Sequence, residues 1–165
     1  MELINKSEYC DKAYYMSSIF INFLITIGAF VFMEFVAWFT HKYIMHGFLW
    51  YLHKDHHQPK KNQIFEKNDS FFFIFAFPGI ITILIGLPEF SWFFWVGLGI
   101  SLYGLAYFFI HDLFIHQRSK IFRNTSSRYL NALRRAHKIH HKNLGKENGE
   151  NFGMLFFPIK YWFKP

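Results

Sequence analysis

Long apolar blocks separated by charged connectors set the pattern of this chain. Three runs, Ser18 to Thr40, Ser70 to Leu87 and Trp92 to Ile110, each have the roughly 17 to 25 residues a helix needs to cross a bilayer core. The first exceeds the roughly 7 to 15 apolar residues of a signal-peptide core, and no small-residue cleavage site follows it, so it reads as a retained span. Its helix is expected to run past Thr40, with Gly47 as a break before Phe48 to His57 and Pro59 as a stop. Leu87 to Ser91 makes a tight hairpin between the second and third spans, and Pro78-Gly79 suggests a kink within the second. From about Ser127 to Lys142, Leu130, Leu133, His137 and His140 or His141 recur at helical spacing while Arg134, Arg135, Lys138 and Lys142 take the other side. The tail, Asn151 to Phe163, is apolar and aromatic but too short to span, and it suits the membrane interface unless stretched into a fourth span.

These elements predict an all-α integral membrane protein, with residues 1–165 forming a single membrane-embedded domain. Three transmembrane helices, about 18–40, 70–87 and 92–110, or four with the tail, would carry a histidine-rich cap of segments 41–69 and 111–150. The interfacial tail would then be 151–165. Composition agrees, since 52% of the 165 residues are hydrophobic, 23% are aromatic and 24 are Phe.

Charge gives this bundle a direction. Lys6 and Lys12 precede the first span, Lys42, Lys54, Lys60, Lys61 and Lys67 follow it, and eleven more basic residues lie beyond Ile110. Only Glu89 is charged in the link between spans two and three. The positive-inside bias places the N-terminus outside and the C-terminus inside, most simply in a bacterial inner (cytoplasmic) membrane. The net charge of +7 sits beside spans, which favours anionic headgroups or an acidic partner over nucleic acid. Cys10, the single cysteine, offers no disulfide and no metal motif.

The candidate chemistry lies in the histidines. All ten fall in four clusters: His41 and His46; His53, His56 and His57; His111 and His116; His137, His140 and His141. They read H-x4-H, H-x2-H-H, H-x4-H and H-x2-H-H, all on the side the charge count makes cytoplasmic. Residues three and four apart share a helix face, so each H-x2-H-H cluster converges. The H-x4-H pairs fall about 140° apart on an α-helix; reaching one centre requires unwinding, a π-bulge or two separated metals. Ten imidazoles exceed the needs of one ion and suit two, although imidazole alone accepts Fe, Zn, Cu or Ni. Glu34, the one acidic residue inside a span, lies seven residues before His41. It is a candidate ligand or a group that orients a histidine. Asp55 and Asp112, beside cluster histidines, are candidates for the same orienting role.

The segments His41-Lys-Tyr-Ile-Met-His-Gly-Phe-Leu-Trp-Tyr-Leu-His-Lys-Asp-His-His57, His111-Asp-Leu-Phe-Ile-His-Gln-Arg118 and Ala132-Leu-Arg-Arg-Ala-His-Lys-Ile-His-His-Lys142 occur in this order. Met33-Glu34 precedes them, and Gly145-Lys-Glu and Phe152-Gly-Met-Leu follow. Together they resemble the β-carotene hydroxylase family of the fatty acid hydroxylase and sterol desaturase superfamily. The resemblance implies a non-haem di-iron monooxygenase with His41, His46, His53, His56, His57, His111, His116, His137, His140 and His141 as ligands of two Fe ions. It also implies O2 as co-substrate, a carotenoid drawn from the bilayer, and conversion of β-carotene through β-cryptoxanthin to zeaxanthin. Electrons would come from a ferredoxin-type donor, for which Arg118, Arg134, Arg135, Lys138 and Lys142 offer a basic docking surface. Rival readings are a fatty acyl or sterol hydroxylase or desaturase of the same superfamily, and a membrane metal transporter or sensor. Against the transporter, only Glu34 and small hydroxyls interrupt the spans.

Overall fold

A computed structural model of the protein describes residues 6–59, 65–118 and 123–163. Residues 1–5, 60–64, 119–122 and 164–165 lie outside the described residues, and with them parts of the expected cap segments 41–69 and 111–150 and of the expected tail 151–165. Five α-helices account for most of the chain: α1 (Lys6–Phe39), α2 (Trp50–His57), α3 (Ser70–Gly86), α4 (Trp92–Tyr107) and α5 (Arg128–Lys142). Two π-helical segments, π1 (Thr40–Phe48) and π2 (Phe108–Ile115), continue α1 and α4. Among the described residues there is no strand.

Three helices are long and apolar enough to cross a membrane: Tyr14–Phe48, Lys67–Gly86 and Trp92–Ile115. The chain is an integral membrane protein whose first and third spans run further than their apolar runs suggest, because π1 and π2 prolong them. Phe20, Phe23, Phe73, Phe77 and Leu84 are all more than half exposed, as lipid-facing side chains should be. Burial is reversed relative to a water-soluble domain: eight of the ten histidines and Glu34 are buried.

Small residues hold the spans together. A Cβ on Gly97 would stand 2.7 Å from Ile83 N and 2.8 Å from Gly79 O, and one on Gly99 2.4 Å from Thr26 O. With no hydrophobic drive between helices in lipid, such close backbone approach supplies the packing. Thr26 adds a hydrogen bond across the α1–α4 seam, its hydroxyl donating to Trp95 O at 3.3 Å.

The amphipathic helix forms as expected. Ser127 caps it, its hydroxyl accepting from Leu130 N–H, and Leu133 packs into a core with Phe114 and Ile115 of π2. The tail folds back over α5 instead of crossing the membrane. Tyr161, in a short 3-10 turn (Ile159–Tyr161), is buried, and its carbonyl accepts from Arg135 at 2.9 Å. Among the described residues of the tail no helix is long enough for a fourth span.

Candidate metal centre

The geometric problem of the H-x4-H pairs is solved by π-helix in both places. A hydrogen bond from residue i+5 to residue i turns a spacing of five into one turn, and His116 N–H donates to His111 O at 2.9 Å. In π1 the equivalent bond joins Leu49 N–H to Ile44 O at 3.0 Å. Gly47 ends that segment in a non-helical conformation (φ −98°, ψ −124°) and swings α2 back over the end of α1. His41 and His46 thereby face His53 and His57, while α5 delivers His137, His140 and His141 from the other side.

Two sets result. Ring nitrogens of His41, His46, His53, His57 and His140 lie within 4.8 Å of one another, as do those of His56, His111, His116 and His137. His141 stands beside the second set, its Nε2 lying 2.8 Å from Nε2 of His137.

The first set shows why a cation fits. Nδ1 of His41, His46, His57 and His140 faces the carbonyls of Phe152, Lys146, Asn143 and Glu150 at 2.8 to 3.0 Å. A carbonyl only accepts, so each Nδ1 carries the ring proton and each neutral ring presents a bare lone pair at Nε2. His53 follows the same rule through Asn68 Oδ1 at 2.6 Å. Yet Nε2 atoms stand 3.1 to 3.3 Å apart along the path His41, His53, His57, His140, His46. Lone pairs so placed repel one another unless a cation sits among them. Metal–nitrogen bonds of about 2.0–2.1 Å put adjacent ligands roughly 3 Å apart, so the spacing matches a coordination shell.

Burial keeps these rings neutral. It pulls the imidazole of His57 down to about 4, His140 to about 3 and His53 to about 2. His56, His137 and His141 are also driven well below the ordinary histidine range, and His116 to about 2. Neutral imidazole is the form that ligates metal.

The second set has acidic support. His56 Nδ1 donates to Glu66 Oε2 at 2.7 Å, and Asp112 Oδ1 lies 3.6 Å from His111 Nδ1. Arg118 ties these carboxylates together, at 2.8 Å from Asp69, 3.4 Å from Asp112 and 3.6 Å from Glu66. Burial pushes the Glu66 carboxyl up to about 7 while Arg118 opposes the shift; a cation held by His56 acts in the same direction as Arg118.

The three predicted carboxylates have separate roles. Asp112 lies beside His111. Asp55 Oδ2 accepts from Lys67 N–H at 2.6 Å and fastens the turn before α3. Glu34 departs from the expectation of a ligand or a histidine-orienting group. Its Oε1 accepts from the N–H groups of Met154, Leu155 and Phe156 at 2.8 to 3.0 Å, and its Oε2 from Tyr103 OH at 2.7 Å. It therefore fixes the strap 152–156, whose Phe152 carbonyl holds His41.

The basic surface is also smaller than the sequence suggests. Arg118 is spent on carboxylates, Arg134 donates to Arg123 O and Phe114 O, and Arg135 donates to Tyr161 O. Lys138 and Lys142 remain exposed on α5. Sequence reasoning missed Glu66 and Asn68, whose only signal was a place in a charged connector. It also missed the carbonyls of 143–152, which carry no signal in residue type.

A cavity of about 320 Å³ leads to the centre. Phe72, Phe75 and Ile80 of the second span line it together with His41, His111 and His137. Its lining is mostly apolar, with His111 and His137 from the second set and His41 from the first.

Comparison with known proteins agrees with this geometry. A family model described as fatty acid hydroxylase matches residues 26–164. The chain is 40% identical to a beta-carotene hydroxylase of Pseudescherichia vulneris over 136 residues, 82% of this chain and 77% of that one. It is 40% identical to one of Pantoea ananas over 137 residues, 83% of this chain and 78% of that one. A chloroplastic beta-carotene 3-hydroxylase 1 of Arabidopsis thaliana is 35% identical over 152 residues, 87% of this chain and 46% of that longer one. No solved structure matches significantly. By its histidine clusters and by these matches, the chain belongs to the fatty acid hydroxylase family.

Proposed function

We propose that the protein is a non-haem di-iron monooxygenase that hydroxylates C-3 of the β-ionone rings of β-carotene, giving β-cryptoxanthin and then zeaxanthin. The observation that carries this reading is the cavity, whose lining joins apolar and aromatic side chains of the spans to three histidines. Relatives named for β-carotene hydroxylation supply the substrate. The His41 set would hold one iron and the His56 set the other. When bound, iron supplies the activation of O2 that an unactivated ring C–H requires. One oxygen atom enters the C–H bond and the other leaves as water, with two electrons from a reduced ferredoxin-type donor and two protons.

The protein's own part is positioning and exclusion. Phe71, Phe75 and Tyr103 give the cavity a wall of flat apolar faces against which a cyclic end group can lie. The strap held by Glu34 contributes Phe152, Gly153 and Met154 to the same wall, helping to keep water from the reacting carbon. At each Nδ1 of the first set a carbonyl holds the proton in place, so Nε2 stays free to ligate. With the charge bias as guide, the N-terminus lies outside and the histidine end faces the cytoplasm of a bacterial inner membrane. Of the basic residues that the sequence offered for docking, Lys138 and Lys142 stay exposed there and could meet an acidic ferredoxin.

Expression in cells that accumulate β-carotene, followed by pigment chromatography, tests the substrate. Zeaxanthin and β-cryptoxanthin are expected. Unchanged β-carotene in cells holding membrane-inserted, iron-loaded protein refutes the substrate assignment, and oxidised acyl chains or sterols in its place would favour the fatty acyl or sterol reading.

A further inference from the structure

The two histidine sets differ in what stands behind the rings. All five Nδ1 partners of the first set are neutral: four backbone carbonyls and the Asn68 amide. In the second, Glu66 accepts from His56 at 2.7 Å and Asp112 faces His111 at 3.6 Å. Asp69 is a third carboxylate in that network, against the single guanidinium of Arg118.

They differ equally in what reaches them. The lipid-side cavity touches His111 and His137 of the second set and only His41 of the first. A second cleft of about 380 Å³ is lined by His56, His116, His137 and His141, with His57 alone from the first set. Every member of the second set therefore lines one opening or the other. His46, His53 and His140 of the first line neither.

An imidazole whose N–H donates to a carboxylate is a stronger base toward its metal, and surplus carboxylate favours higher positive charge on the ion. We propose, building on the two-ion reading above, that the metal positions are inequivalent. The first is a sealed position framed by neutral acceptors. The second is the open, electron-rich position where oxygen and substrate approach, and Glu66 is the positioning residue that sets its electron density through His56.

The test is Mössbauer spectroscopy and iron analysis of the reduced, iron-57-loaded protein in detergent. Wild type is expected to hold two irons per chain and give two quadrupole doublets of equal area. Glu66→Gln should displace one doublet, weaken iron retention at that position by about 10- to 100-fold, and leave the other doublet in place. Asn68→Ala, which removes the partner of His53, should displace the other. If Glu66→Gln does not accumulate in the membrane, Asp112→Asn probes the same position through His111. Two irons with one doublet in wild type, or a variant that moves both doublets or neither, overturns the inequivalence. One iron per chain refutes the two-ion reading itself, and the proposal with it.

Discussion

Replacing Glu34 by alanine should damage the metal centre from a distance. The carboxyl accepts three backbone N–H bonds from Met154, Leu155 and Phe156 and one from Tyr103, and the residue is 5% exposed. A buried donor left without an acceptor costs about 1–3 kcal/mol. Three such N–H groups therefore cost roughly 3–9 kcal/mol, with water entering the vacated volume drawing the figure toward the lower end. About 3 kcal/mol already corresponds to roughly a 100-fold rise in strap opening. Each opening withdraws the Phe152 carbonyl from His41 Nδ1, and loss of such a partner typically weakens metal binding by about 10- to 100-fold. Hydrogen exchange of the 152–156 amides, read by mass spectrometry together with metal content, reports both effects. Glu34→Gln, which keeps an acceptor, should be milder on each. Amides as protected as in wild type, with full metal content in Glu34→Ala, would refute the coupling between carboxyl, strap and ligand.

Gly104 lines the cavity, and a Cβ there meets nothing within 4 Å. Gly104→Phe should fill the substrate path and lower turnover on the order of 100-fold while metal content stays unchanged; loss of both would mean the change disturbs the fold. Gly97→Ala should cost about 1–3 kcal/mol by overpacking, because its neighbours at 2.7 and 2.8 Å are backbone atoms that must separate; an unaltered melting temperature in detergent would contradict this packing. Metal-stripped protein should lose stability on acidification. Histidines unfold with a pKa near 6.5 but are held at about 4 (His57) and about 3 (His140) when folded, so between those values the unfolded chain binds more protons. Stability is then full above about pH 6.5 and falls toward pH 4 and below, by at most about 1.4 kcal/mol per pH unit per histidine; a flat melting temperature from pH 7 to 5 would show that these rings are not buried neutral.

The spans, the amphipathic helix and the convergence of all four clusters were legible because each is a matter of residue type at a period. Leu130, Leu133 and His137 announce α5, and the apolar runs announce the bundle. The spacing of His41 to His46 poses the helical phase problem, but it leaves open whether unwinding, π-helix or separate ions resolves it. Backbone carbonyls were beyond reach for a deeper reason. Lys146 and Glu150 hold His46 and His140 through main-chain oxygens, and every residue has one. Glu34 was conspicuous as an intramembrane carboxyl, yet three of its four partners are main-chain groups about 120 positions away, and the fourth is the Tyr103 hydroxyl. The arginines misled in the opposite sense: Arg134 and Arg135 look like a solvated face, and it takes the folded tail and the Phe114 carbonyl to draw them inward.

The carbonyls that orient four of the first-set histidines belong to residues 143–152, all later in the chain than the last histidine, His141. During synthesis the ligands thus emerge before the groups that lock them. Until that stretch leaves the ribosome and settles on the bundle, these four imidazoles lack the contacts that select their tautomer and heading. On the proposed metal reading, loading would accordingly come late in biogenesis, and a nascent chain stalled shortly after His141 would display all ten histidines yet retain little metal.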